Sequence, residues 1–221
     1  MKNPALCLPL ISLLLWLGLS ATAQAGRPLN VDDASVDEAG SGHIETWYAR
    51  QAGGVRGWTV APAYAPVAGV EIGVSVARDN AQQSRSSTLQ GKFLLSPAQE
   101  RGCNAGVVAG VTQTTGAAGN TPAVNGLFSC NQDGGATHFN LGALRTPGGP
   151  TLRSWDLALE RELGRFTGHA EWFGQQQSAP VFQIGLRTEL APGWQIDGSL
   201  GRTRQADRHA TLFSLGFAKR F

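Results

Sequence analysis

The last ten residues of the chain alternate between apolar side chains and small or polar ones, and they end on an aromatic residue. In residues 212–221, Phe213, Leu215, Phe217 and Phe221 share one face of an extended strand, and Ser, Gly, Ala and Arg occupy the other. Lipid outside a barrel requires apolar side chains, whereas a water-filled lumen accepts polar ones. The pattern is therefore typical of the last strand of a bacterial outer-membrane barrel. We expect the barrel-assembly machinery to engage this strand through Phe221.

Similar runs recur along the chain, separated by turns rich in Gly, Pro, Asn and Asp. The alternating runs lie at residues 43–51, 54–64, 68–78, 85–96, 103–113, 123–131, 136–145, 152–163, 166–174, 180–190, 194–203 and 211–221. Twelve runs leave about sixteen residues for each strand and its turn, which suits the 9–11 residues of a tilted membrane-spanning strand. The sequence thus predicts an all-β, transmembrane, antiparallel up-and-down β-barrel of about twelve strands, with ten to fourteen compatible with the spacing.

The N-terminal region divides into two parts. Lys2, an apolar run over residues 6–19 and the motif Ala23-Gln24-Ala25 predict a cleaved signal peptide over residues 1–25. The apolar run is shorter than the ~20 residues of a membrane-spanning helix. Residues 26–42 are acidic, rich in turn residues and without periodicity, so we interpret them as a periplasmic tail or a segment inside the lumen. The barrel then occupies residues 43–221, in the bacterial outer membrane.

Composition narrows the choice of partners. Removing Lys2 with the signal peptide leaves 17 basic and 16 acidic side chains, and no basic run is present. Nucleic acid is therefore not expected as a partner, whereas outer-membrane lipid is. The chain has no C-x-x-C motif and its four histidines lie far apart in sequence. We accordingly expect neither a metal site nor a cofactor.

The two cysteines beyond the signal peptide are predicted to form a disulfide. Cys103 and Cys130 lie in consecutive strands, about equally far from the connection near Gly116. Equal distance from the turn of an antiparallel hairpin means facing positions, and an exported chain reaches an oxidising compartment. The predicted topology places the pair at the periplasmic end of the barrel.

Charged residues on the polar faces of the strands are predicted to line the lumen. We expect a belt at similar depth, formed by Glu71, Lys92, Glu160, Glu171, Arg187 and Asp197, with Glu45 adding to it. Both cations can pair within the belt, which leaves it acidic. An open pore should then prefer cations weakly, whereas a closed one should contain interlocked ion pairs and conduct nothing.

Five short segments of the chain, at residues 26–34, 44–48, 91–93, 159–163 and 184–187, carry a family resemblance, and the first is the longest. They resemble a family of outer-membrane barrels named after the meta-pathway of phenol degradation and grouped with barrel porins. The resemblance implies a passive channel for small solutes, aromatic or hydrophobic compounds among them.

The leading hypothesis is therefore a porin-like passive channel for small solutes. The second is a non-conducting structural barrel with a charge-filled lumen. A lipid-modifying outer-membrane enzyme is the third, although no nucleophile elbow and no compact Ser–His pair is visible in the sequence. We expect no enzymatic activity.

Overall fold

The twelve strands close into one antiparallel barrel. The computed structural model describes residues 29–51, 54–97, 99, 101–205 and 208–221. Each strand pairs with its sequence neighbour, and β1 pairs with β12 to complete the ring. The strands are β1 Gly42–Arg50, β2 Arg56–Val67, β3 Val70–Asp79, β4 Ser84–Leu94, β5 Gly102–Thr114, β6 Asn120–Gln132, β7 Gly135–Arg145, β8 Thr151–Leu163, β9 Phe166–Gln175, β10 Val181–Ala191, β11 Trp194–Gln205 and β12 Arg208–Arg220. The predicted fold class and strand number are confirmed. The predicted signal peptide lies outside the described residues, as do residues 26–28.

Strand β2 extends three residues beyond the predicted run, because neither of its two prolines ends the strand. The predicted run ends at residue 64, and the strand continues to Val67 through Pro66, although proline lacks the N–H that a sheet ladder uses. Pro62 nevertheless pairs opposite Ile44. Pro66 falls where the β2–β3 register shifts between Tyr64 and Val67, at an irregularity that removes the need for a regular ladder bond.

The outer face of the barrel is apolar. In β12, Phe213 and Leu215 are exposed, whereas Ser214 and Ala218 are buried on the inner face. The same division runs around the ring, with exposed Ile72, Leu89, Phe128, Leu141, Leu159, Phe182, Ile184 and Leu200. A sheet that turns its apolar side outward and its polar side inward is suited to a bilayer. Among the described residues, no helix is long and apolar enough to cross a membrane.

The two ends of the barrel differ in their connections. At the proximal rim, where β1 begins and β12 ends, four connections are two-residue turns and one spans residues 95–101. Gly134 and Gly193 adopt φ values of 71° and 73° in two of these turns, a conformation that two-residue hairpins require and glycine adopts without strain. At the distal rim, each connection spans five residues or fewer. The connections between strands are therefore short, and in the longest of them Gln99 bonds to the inward-facing Asn104 near the proximal rim.

The predicted disulfide is present. Cys103 and Cys130 are cross-strand partners in the β5–β6 hairpin and are bonded to each other. They lie near the proximal rim on the outer face, since their neighbours Asn104 and Ser129 are the buried, inward-facing residues. The disulfide thus fastens the wall of the barrel without entering the lumen.

Candidate functional site

Residues 29–41, hereafter the lumen segment, lie inside the barrel before β1. Leu29 and Val31 are buried in one apolar cluster with Ala158 of β8. A second cluster joins Ala34 to Val108 and Leu127 of β5 and β6. Apolar residues on the inner wall would be unfavourable in a wet lumen, and the lumen segment covers them. The segment is therefore packed against the wall at separate places.

Glu171 of β9 anchors the start of the lumen segment. The backbone N–H groups of Asn30 and Val31 donate to Glu171 Oε2 at 2.6 and 3.0 Å. Gln183 Nε2 donates to the other carboxylate oxygen at 2.8 Å. Glu171 is only 1 % exposed, so these bonds replace the water that a carboxylate would otherwise bind.

Lys92 of β4 holds the middle of the lumen segment. Its Nζ lies 2.5 Å from Asp32 Oδ1 and 3.4 Å from Asp33 Oδ1, and it donates to the Asp33 carbonyl oxygen at 3.3 Å. Burial alone would raise the pKa of the Asp33 carboxyl, but the charges of Lys92 and His138 and the hydrogen bonds from Ser35 hold that pKa below its usual value. One buried ammonium group is thus shared by two carboxylates of the segment.

The end of the lumen segment is attached near the start of β1. The Asp37 N–H donates to Glu71 Oε2 at 3.2 Å, and Asp37 Oδ2 lies 2.6 Å from His43 Nδ1. The ligand-type atoms of Asp37, His43 and Glu71 lie within 4.8 Å of one another. The sequence predicted no metal site because it has no C-x-x-C motif and its four histidines lie far apart. Their mutual hydrogen bonds account for the cluster, and we assign it a structural role.

A Ser–His–Glu group lies on the wall beside the lumen segment. Ser129 Oγ and His138 Nδ1 are 2.8 Å apart, and His138 Nε2 lies 3.7 Å from Glu160 Oε2. Glu160 is also paired with Arg187, at 2.6 and 2.9 Å. Ser129 is 2 % exposed, and its Oγ accepts the Ala34 N–H at 2.8 Å. The sequence analysis did not identify this pair. The hydroxyl is covered by the segment and faces the lumen, away from lipid, which does not suit a lipid hydrolase.

Two other predicted lumen residues also face inward. Glu45 lines a cavity beside His43 and Trp47. Asp197 is buried opposite Gly216, where a Cβ would lie 2.5 Å from the Asp197 carboxylate. All seven predicted residues thus lie on the inner wall. Three of them, Glu71, Lys92 and Glu171, bond to the lumen segment. Glu160 and Arg187 pair with each other.

The lumen segment separates two cavities. One, of about 350 Å³, extends toward the middle of the barrel, where Trp47, Gln90 and Asn140 line it. The other, of about 510 Å³, lies toward the proximal rim and is lined by Asn104, Ser129 and Glu160 among others. Leu29, Asp33, Ser35 and Val36 line both cavities. The segment therefore lies between the two cavities and forms part of the wall of each.

The lining of the lumen is polar and predominantly acidic. Asn140 is 1 % exposed, and its amide nitrogen and oxygen have no hydrogen-bond partner within the described part of the chain. Two buried cations, Lys92 and Arg187, lie on the inner wall. The carboxylates that line the cavities or are buried on the wall are more numerous and include Asp32, Asp33, Asp37, Glu45, Glu71, Glu160, Glu171 and Asp197. Such a lining accommodates water, polar solutes and cations.

The sequence reasoning missed the residues that the lumen segment uses. Asp32 and Asp33 were assigned only to an acidic region, and Ser129, His138 and Gln183 were not singled out. Parity along the strands could have placed the last three on the inner face. Nothing in the sequence paired Lys92 with Asp32, because 60 positions separate them.

Comparison with known proteins supports the fold. A family model described as "Uncharacterised conserved protein UCP029691" matches residues 13–221. No curated protein sequence matches the chain. The KdgM porin is similar in structure, with a TM-score of 0.68 at 10% identity, covering 81% of this chain and 99% of that one. KdgM is also described in complex with disordered oligogalacturonate.

Two further barrels are similar. The NanC porin gives a TM-score of 0.61 at 7% identity, over 80% of this chain and 98% of that chain. The Acinetobacter baumannii outer membrane protein Omp33 gives 0.54 at 12% identity, over 82% and 97%. The resemblance to outer-membrane porin barrels is thus supported at the level of the fold, but membership of the phenol-degradation family is not, because the matching family model is a different one.

Proposed function

The chain belongs to the family described as "Uncharacterised conserved protein UCP029691", and we propose that it is a porin-like outer-membrane channel for small hydrophilic solutes, closed by its own lumen segment. The observation that carries this proposal is the partition of a polar lumen into two cavities by residues outside the strand ladder. The wall of the barrel does not need the segment for its hydrogen bonding, since every strand already has two neighbours. Movement of the segment could therefore join the cavities without opening the barrel.

The composition of the lining supports a hydrophilic solute. Apolar wall residues such as Val108 and Leu127 are covered by Ala34, while the cavity toward the middle of the barrel presents Gln90, Asn125 and Asn140. An aromatic or hydrophobic solute would leave such amides without partners, at a cost in free energy. The geometry therefore favours small polar solutes over the aromatic compounds that the family resemblance implied.

Liposome swelling tests this proposal. In the Gly/Ser variant, alternating Gly and Ser replace residues 29–36 at unchanged length, which removes the apolar and charged anchors but retains the stretch leading into β1. We expect slow swelling in a small neutral sugar for the wild type and fast swelling for the Gly/Ser variant. The control variant replaces the distal connection 176–180 in the same way and should behave like the wild type.

The non-conducting structural barrel is the second candidate function. The observation in its favour is the number of independent anchors on the segment, at Glu171, Lys92, Ser129 and Glu71. A purely structural barrel should remain impermeable in the Gly/Ser variant, provided that the variant shows the heat-modifiable migration of a folded barrel. That result would replace the channel proposal with the structural one.

A further inference from the structure

Four arginines form a patch on the outer face of the barrel at the distal rim. Arg50, Arg56, Arg78 and Arg85 lie on the consecutive strands β1 to β4, and all four are exposed. Each continues the outward-facing series of its own strand, as Arg56 does after Trp58 and Val60, which are also exposed. The patch is therefore on the side of the wall that faces lipid, outside the lumen.

The arginines of the patch oppose one another directly. Arg50 is the cross-strand partner of Arg56, and Arg78 is the partner of Arg85. Facing residues of an antiparallel pair have Cβ atoms about 5 Å apart, and like charges at such positions are destabilising. The arginines of each pair repel each other, and the two pairs lie on adjacent hairpins. An anion bound between them would therefore reduce the repulsion and stabilise this part of the barrel.

The protein itself supplies little negative charge to this patch. Asp79 is the only acidic residue in the sequence ranges 46–60 and 74–89. It has the inward parity of β3, and its Oδ1 accepts the N–H groups of Ala81 and Gln82, at 2.8 and 3.3 Å, and the backbone N–H of Arg56 at 3.4 Å. This one carboxylate stands against four guanidinium groups. At the proximal rim, by contrast, both signs are mixed, as in the pair of Arg101 with Asp133 at 3.0 Å.

The depth of the patch indicates the kind of anion. The next outward-facing pair toward the middle of the barrel is Tyr48 with Trp58, whose ring centroids are 5.5 Å apart. Aromatic residues of this kind occupy the interface between acyl chains and headgroups. Arg50 and Arg56 lie two positions beyond this pair, and Arg78 is the cross-strand partner of Trp58. The patch therefore lies beside and just beyond the aromatic pair, within reach of the headgroups, and guanidinium groups bind phosphate in a bidentate manner.

We propose that both termini are periplasmic, so that the distal rim lies in the outer leaflet, and that the patch of Arg50, Arg56, Arg78 and Arg85 binds the phosphate groups of a phosphorylated glycolipid of the lipid A class. The lipid's acyl chains would lie along the apolar strands below the arginines, and its phosphates would bridge the opposed pairs. This site is separate from the lumen and does not depend on whether the barrel conducts. Lipid bound at the patch would determine how deeply the barrel sits in the membrane and how it is oriented there, because the patch lies at the distal rim.

Binding of purified lipid A to the refolded protein in detergent tests the proposal. The patch variant, Arg50→Gln with Arg78→Gln, removes one charge from each opposed pair, and the control variant, Arg161→Gln with Arg165→Gln, removes two charges from the proximal rim. Each arginine near a phosphorylated surface contributes about fivefold in affinity. We therefore expect the patch variant to bind at least about tenfold more weakly, and the control variant to bind like the wild type.

Two further arms identify the ligand. Dephosphorylated lipid A should bind the wild type as weakly as phosphorylated lipid A binds the patch variant, and excess inorganic phosphate should not displace the intact lipid. Without phosphorylated lipid, the patch variant should unfold at a higher temperature than the wild type, because repulsion is relieved. At the same concentration, lipid A should raise the unfolding temperature of the wild type by more than that of the patch variant, because the variant binds it more weakly.

Equal lipid A affinity of the wild type and the patch variant would overturn the proposal. Equal affinity for phosphorylated and dephosphorylated lipid would assign the contact to acyl chains alone, and displacement by inorganic phosphate would make the patch a site for free anions. Either result contradicts the glycolipid assignment.

Discussion

Lys92 is the residue on which the position of the lumen segment most depends. Its ammonium group contacts Asp32 and Asp33, and the side chains of Lys92 and Asp33 are 10 % and 18 % exposed, whereas that of Asp32 is 30 % exposed. Removing one member of a buried ion pair leaves the other charge without compensation, which typically destabilises a protein by about 3–5 kcal/mol. Glu171, in contrast, binds the segment through neutral backbone N–H groups and not through a charged side chain of the segment. Substitution of Lys92 is therefore the more direct way to disturb an ion pair between the segment and the wall.

We predict that Lys92→Met releases the middle of the lumen segment while the barrel stays folded. Permeation of small neutral sugars should increase, and limited proteolysis should cut within residues 29–36. Adding Asp32→Asn and Asp33→Asn to Lys92→Met should restore part of the wild-type impermeability, because no unpaired charge then remains. Arg101→Met is the matched control, since the Arg101–Asp133 pair is 80 % and 76 % exposed and such pairs contribute little. Unchanged permeation in Lys92→Met would show that this ion pair does not hold the segment.

At the scale of structural elements, the lumen segment and the β5–β6 hairpin illustrate different kinds of attachment. The segment is held by side chains of several strands, from Glu71 on β3 to Glu171 on β9. The hairpin is held by its own ladder and by the Cys103–Cys130 bond. Disturbing the first should change permeation, whereas disturbing the second should change only stability.

Acidification should release the lumen segment. The pKa of Asp33 is lower in the folded protein than its ordinary value of 3.8, so the folded state binds this proton more weakly than the unfolded one. The stabilisation is fully present above pH 3.8 and is lost as the pH falls through the lower, folded-state value. Permeation should therefore rise below about pH 3.8. In Asp33→Asn this acid-dependent rise should shrink, and an identical pH profile in both proteins would exclude Asp33 as its source.

The double variant Cys103→Ser with Cys130→Ser should lose stability without gaining permeation. The bond closes a loop with a sequence separation of 27 residues, and a native disulfide of this kind typically contributes about 2–4 kcal/mol. Because the bond lies on the outer face, its loss should leave the two cavities separate. Urea unfolding and liposome swelling, measured on the same preparation, check both halves of this prediction. Increased swelling of the folded variant would link the disulfide to closure.

Local patterns were sufficient to predict the strands, but not the lumen segment. Alternation placed residues such as Phe213 and Ser214 on opposite faces, and equal distance from a turn paired Cys103 with Cys130. The segment has no period, because its conformation is set by side chains 34 to 141 positions away. Sequence spacing therefore predicted which wall residues face inward, and could not predict that Glu171 binds the backbone of Asn30.

At the scale of the whole molecule, the charges of the lumen and of the distal rim have opposite signs. Carboxylates predominate inside, around Glu71, Glu171 and Asp197, whereas arginines predominate on the outer face at the distal rim. The two sets act in different surroundings, since the lumen faces solutes and the outer rim faces lipid headgroups. The ion selectivity of an open channel should consequently be determined by the carboxylates of the lumen and not by the arginines of the outer rim.

We predict that the Gly/Ser variant, once open, prefers cations. Asp32 and Asp33 are removed in this variant, but Glu71, Glu171 and Asp197 remain on the wall against Lys92 and Arg187. A net acidic lining attracts cations. The reversal potential under a salt gradient should therefore have the sign of cation preference, and Glu171→Gln with Asp197→Asn should reduce it. Clear anion preference would exclude these carboxylates as the selectivity element.

Single-channel conductance in a planar bilayer tests the central claim most directly. The wild type, the Gly/Ser variant and the control variant altered at 176–180 would be refolded and recorded in the same salt. A barrel closed by its lumen segment predicts little or no steady current for the wild type and the control, and stable open channels for the Gly/Ser variant. A wild type that conducts as well as the Gly/Ser variant, or a folded Gly/Ser variant that does not conduct, would contradict the account.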